Sequence, residues 1–86
     1  LEEKRIEVGK VMHYYSKIGV AVVSLNNELK IGDEILIRGK STELRQKVES
    51  MQIEHKNVEI AKAGQSIGLK VNEKVREGDI VYKILV

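Results

Sequence analysis

Hydrophobic positions along this chain fall in short blocks separated by glycine and polar residues. Ile6 and Val8 flank Glu7, Ile35 and Ile37 flank Leu36, and residues 20–23 are apolar without interruption. Alternation with period two predicts strands, and a run that is apolar on both parities predicts a strand buried on both faces. Six strands are expected, over 6–13, 20–25, 34–38, 46–53, 66–71 and 80–86. Two turns share one grammar, Lys30-Ile31-Gly32-Asp33 and Arg76-Glu77-Gly78-Asp79, and each leads into a strand. Asn26-Asn27 supplies another tight turn, because Asn tolerates positive φ. Strands at this spacing with glycine turns indicate an all-β fold, a six-stranded antiparallel Greek-key barrel. Closure of a barrel gives every strand two neighbours. The expected core is Val11, Val20, Val22, Ile35, Ile37, Ile67, Leu69, Val81 and Ile84.

Two stretches compete for helix. Leu44, Val48 and Met51 lie at helical spacing within 41–51, among good helix formers, so local signals favour helix there. Residues 58–63 read as a short helical turn or loop ended by Gly64.

Composition narrows the picture. Eighty-six residues make one domain, 1–86, with a single core and little material for a deep cleft. Fifteen Lys and Arg against thirteen Asp and Glu leave +2, so charge does not by itself direct the chain to nucleic acid. There is no cysteine, which fits a reducing compartment, and a cytoplasmic location is expected. The longest apolar run is far below the ~20 residues that span a bilayer, so no membrane partner is expected. The charged N-terminus has no apolar signal region. It opens on Leu1, which leaves removal of a few residues and a fragment of a longer chain both open.

Candidate chemistry is sparse. Gly39-Lys40-Ser41 matches the end of a phosphate-binding loop, but Glu34 stands where the upstream glycine belongs. His13 and His55 are the only histidines, and no spacing joins them to a metal set. No serine has an activating motif around it. No catalytic residue, metal, cofactor or small-molecule substrate is therefore expected, and the chain reads as not an enzyme. The positions best suited to contact a partner are Tyr14, Tyr15 and Lys17 in one loop, where rings stack on bases and Lys meets phosphate. Arg38 and Lys40 form a second basic group.

Three segments and the ending carry a family resemblance. Ile18-Gly19-Val20-Ala21-Val22-Val23, Leu29-Lys30-Ile31-Gly32-Asp33-Glu34-Ile35 and Ala61-Lys62-Ala63-Gly64-Gln65-Ser66-Ile67-Gly68-Leu69 resemble the second domain of translational GTPases, the β-barrel of elongation factor Tu and its relatives. Arg76-Glu77-Gly78-Asp79-Ile80-Val81 resembles that family's closing strand. The resemblance implies a strand rather than a helix over 41–53. It places Lys17 at or near a family arginine that faces RNA. It also implies a binding module without its own GTPase, whose partner is ribosomal or transfer RNA. The competing expectation is a protein partner, with the barrel as an accessory to an enzyme encoded in the same chain or operon.

Overall fold

A computed structural model describes residues 3–85. It is all-β, and no helix occurs among the described residues. The strands are β1 (Arg5–Tyr15), β2 (Val20–Leu25), β3 (Leu29–Lys30), β4 (Glu34–Arg38), β5 (Glu43–Lys47), β6 (Met51–Ile53), β7 (Lys56–Val58), β8 (Ile60–Ala61), β9 (Ser66–Lys70) and β10 (Ile80–Ile84). Eight of them form one antiparallel sheet in the order β5-β4-β10-β1-β2-β9-β6-β7, and β3 pairs with β8.

The six-stranded barrel is corrected to an open eight-stranded sheet with a separate two-stranded one. The expected strand over 46–53 is really two, β5 and β6, which pair with different neighbours. Val48 sits at the corner between them. Its N–H donates to the Asp33 carbonyl (2.9 Å), and its carbonyl accepts from the Gly32 N–H (2.8 Å). Residues 58–61 are extended rather than helical, because β8 finds a partner in β3, and the chain then turns over 62–65. Val86, at the end of the last expected strand, lies outside the described residues, as do Leu1 and Glu2.

No ladder joins the sheet edges β5 and β7 among the described residues. One buried side chain spans part of the gap instead. The Gln46 amide donates from Nε2 to the Lys70 carbonyl (2.9 Å), and its Oε1 accepts from the Asn72 N–H (2.8 Å). Paired this way, a polar group is buried without an unmade hydrogen bond.

Three turns are built alike. In Lys30–Asp33 the Asp33 carboxylate accepts from the Lys30 N–H (2.9 Å), and Gly32 has φ 93°. In Arg76–Asp79 the Asp79 carboxylate accepts from the Arg76 N–H (2.9 Å), and Gly78 has φ 92°. The third copy, Lys62-Ala63-Gly64-Gln65, uses the Gln65 amide oxygen on the Lys62 N–H (2.8 Å). Each turn docks on a buried residue, respectively Val48, Val11 and Leu25. The turn glycine donates its N–H to that residue's carbonyl, and the same residue donates its N–H to the fourth turn residue. The positive φ explains the glycine, and the polar fourth residue satisfies the first N–H.

Val11, Ile35, Ile37, Ile67, Leu69, Val81 and Ile84 are buried as expected. Val20 and Val22 are not core residues. They are half-buried on the outer face, while Ala21 and Val23 point inward with no exposure. The strand is apolar on both parities, so its pattern does not choose a face. Pairing chooses it: Val23 opposes buried Val11 and Ile67.

Candidate functional site

The outer face of the sheet owes its shape to one residue. His13, Val22, Gly68, Gln52 and Asn57 form a row across β1, β2, β9, β6 and β7. Gly68 has no side chain, so the row has a gap between Val22 and Gln52. The result is an open groove of about 280 Å³ lined by Tyr15, Ile18, Val20, Val22, Gln52, Glu54, His55, Ser66, Ile67 and Gly68. A Cβ added at Gly68 would meet Val20 at 3.4 Å, an ordinary contact, so packing does not demand the glycine.

Polarity divides the groove. Tyr15, Ile18, Val20 and Val22 supply an apolar wall, with Tyr15 and Ile18 more than half exposed. Gln52, Glu54, His55 and Ser66 supply a polar one. Glu54 is the one carboxylate in the lining, and no Lys or Arg is among the lining residues. The Gln52 amide is fixed by donating to Asn57 Oδ1 (3.0 Å). Glu54 and His55 form the two-residue connection between β6 and β7 and hold φ of 50° and 66°. Such a hairpin turn favours Asn-Gly, and longer side chains there are strained. Ser66, His55 and Glu54 share the groove, but no hydrogen bond joins them among the described residues, so no nucleophile–base pair is assembled.

The sequence candidates fall into separate groups. Tyr14 turns inward and packs on the core, whereas Tyr15 turns outward into the groove wall. The Tyr15 ring meets the His13 ring edge-on at 4.4 Å. Lys17 is exposed in the following turn. Arg38 is paired with Glu43 at 3.6 Å, and Lys40 is exposed beside it. Arg38 lies level with Lys10 across β10, and Tyr15 lies five residues further along β1, roughly 15 Å away at strand spacing. The two groups therefore lie apart on the sheet.

Gly39-Lys40-Ser41 lines a second cleft of about 370 Å³ with Arg76, Glu77, Gly78 and Asp79. Asp79 is buried there, and an added Cβ at Gly39 would collide with its carboxylate. A carboxylate against the backbone of this triplet repels phosphate, so the partial phosphate-loop match is chance. No group of three metal-ligating side chains occurs among the described residues.

Sequence reasoning singled out neither Gly68 nor Gln52, and it weighed His55, with Glu54 beside it, only as a metal ligand. A signal existed at Gly68, since glycine inside a strand often marks a close approach. Another lay in Glu54-His55, two polar residues between short apolar-containing segments, which is hairpin spacing.

No family model matches the chain. Among curated proteins it is 54% identical over 80 residues to an uncharacterized protease of Methanocaldococcus jannaschii. It is also 45% identical over 82 residues to a collagenase of Porphyromonas gingivalis. These alignments take in 92% and 93% of the chain, which spans about a fifth of each relative's length (20%). Its fold is similar to the crystallised C-terminal domain of a Geobacillus thermoleovorans protein assigned as a U32 peptidase. There the TM-score is 0.83 at 24% identity, with 88% of this chain and 89% of that one covered. A selenomethionine form of that domain gives 0.84.

These findings correct the sequence reading in three respects. The resemblance to elongation factor Tu does not hold, because the close relatives are named as a protease and a collagenase. The translation role, with RNA or the ribosome as its target, falls with it. The expectation that the chain is not an enzyme is corrected as well, because the relatives are named as a protease and collagenases, of which the chain spans about a fifth (20–22%). The cause is that the quoted motifs are turn and strand grammar. Gly-Asp turns and apolar strand runs recur wherever an antiparallel sheet must reverse, so they report a kind of fold rather than a family. No helix is long and apolar enough to cross a membrane among the described residues.

Proposed function

We propose that this chain acts as the C-terminal β domain of a U32-type peptidase and that its outer sheet face engages the polypeptide substrate. The observation that carries the reading is the 54% identity to an archaeal protease over 80 residues. The fold match to a peptidase's C-terminal domain supports where in such a protein the chain belongs. Collagen, for which two relatives are named, is the first substrate to examine. The proposed partner is thus a polypeptide. A cytoplasmic location is proposed from the charged, cysteine-free sequence.

The test removes residues 3–85 from the protein that carries this chain and compares gelatin capture and cleavage with the parent. The expected result is a several-fold rise in KM with kcat retained. Unchanged capture and unchanged KM in the shortened protein would overturn the role in substrate engagement.

A further inference from the structure

We propose that the groove over Gly68 is a subsite for one or two residues of an extended, Gly/Pro-rich basic polypeptide segment, with an apolar side chain seated on Gly68 and a basic side chain directed to Glu54. This rests on the peptidase reading above and specifies which polypeptides the domain selects.

Size comes first. A groove of about 280 Å³ accepts one or two side chains, not a folded partner. Shape comes second. The gap at Gly68 lets a backbone or a compact ring approach the sheet between Val22 and Gln52. The exposed Tyr15 ring and Ile18 line the same groove, and an aromatic wall beside a shallow groove suits polyproline II chains, which are already extended before binding. Charge decides the class of partner. The lining carries Glu54 and neither Lys nor Arg, within a chain whose net charge is +2. Phosphate is repelled there and a guanidinium or ammonium is attracted. The backbone at Glu54 adds an independent sign. Glu54 and His55 hold a conformation that Asn-Gly adopts with less strain, and such outliers cluster at ligand-binding sites.

The probes are fluorescein-labelled (Gly-Pro-Arg)3, its charge-reversed form (Gly-Pro-Glu)3 and a twelve-residue oligouridylate RNA, titrated into the 86-residue chain. Binding is read by anisotropy and by amide chemical shifts. The expected result is preference for the arginine peptide, with shifts at Val20, Gln52, Glu54 and Gly68. Gly68→Ala puts a methyl group in the floor without a clash and should weaken binding about tenfold or more. Glu54→Gln should weaken the arginine peptide about 2–5-fold, the range of an exposed ion pair, and erase the preference over (Gly-Pro-Glu)3. Melting curves of both variants verify the fold, and Glu54→Gln, being an exposed change, serves if Gly68→Ala does not fold.

Peptide binding that is indifferent to both substitutions, or that shifts other residues, overturns the groove and leaves the peptidase reading standing. Binding of the RNA in place of the peptides overturns both. If no peptide binds, the groove assignment is wrong, and the capture assay on the shortened peptidase decides the broader reading separately.

Discussion

At the residue scale, one-position shifts in side-chain direction separate core from surface. Leu69 and Val22 lie on neighbouring strands, yet Leu69 is fully buried and Val22 faces the groove. Leu69→Ala should cost about 2–5 kcal/mol, the usual price of an unfilled core site. Val22→Ala should cost under about 1 kcal/mol. Urea unfolding of the two variants checks the difference, and equal losses would mean that the strand face is misassigned. Glu54 and His55 offer a gain of the opposite sign. Replacing the pair by Asn-Gly should stabilise by about 1 kcal/mol, because that sequence adopts positive φ more readily. A lower melting temperature would show that the hairpin is not strained.

Electrostatics at this scale concentrate on Arg45. Its Nε donates to Glu34 (2.6 Å), and its guanidinium also meets Glu3. The Arg45 hydrogen bond holds the Glu34 carboxyl below its ordinary value of 4.5, helped by the charges of Arg45 and Lys47 and opposed by desolvation. A carboxyl with a lowered folded value stabilises the fold fully above the unfolded value and loses that contribution as pH falls through the folded one. Melting temperature should therefore fall more steeply below about pH 4.5 in the parent than in Glu34→Gln, and salt should narrow the gap. Identical acid limbs would remove Arg45 from the account.

At the element scale, the three matching turns are the recurring unit. Each has a side-chain oxygen on the first N–H and a glycine N–H on the carbonyl of a buried residue. Asp33→Ala and Gln65→Ala should each cost about 0.5–1.5 kcal/mol, the net worth of one such bond. Asp79→Ala should cost more, since its carboxylate is buried against Gly39 and leaves both a void and an unpaired N–H. Chemical denaturation of the three variants checks that order. An Asp79 variant as stable as the other two would show that the Arg76–Asp79 turn does not depend on burial.

At the scale of the whole molecule, the sheet stays open where a barrel would close. Gln46 stands in for the missing ladder by joining β5 to the end of β9. Gln46→Leu removes both bonds while keeping the volume. Its expected signature is faster amide exchange at Asn72, with the β1–β2 ladder still protected. Exchange at Asn72 that matches the parent would mean that the edges are held by something other than this side chain.

Much of this was readable along the chain. Strand class, the Gly-Asp turns and most of the core follow from local rules, because period-two alternation and positive-φ turns are set by each residue's own backbone and side chain. The elements at 20–25 and 34–38 stand where the pattern placed them. What tertiary structure decided depends on partners distant in sequence. The face of β2 was settled by Val11 and Ile67, and the break at Val48 by Asp33. Local spacing favoured helix over 41–51, but ladder pairing with β4 and β9 overrode it. The groove is a property of four strands at once, β1, β2, β9 and β6, and the gap at Gly68 exists only when Val22 and Gln52 stand on either side. Family was misread for the same reason: turn motifs record how a chain reverses, while a site records what a sheet brings together.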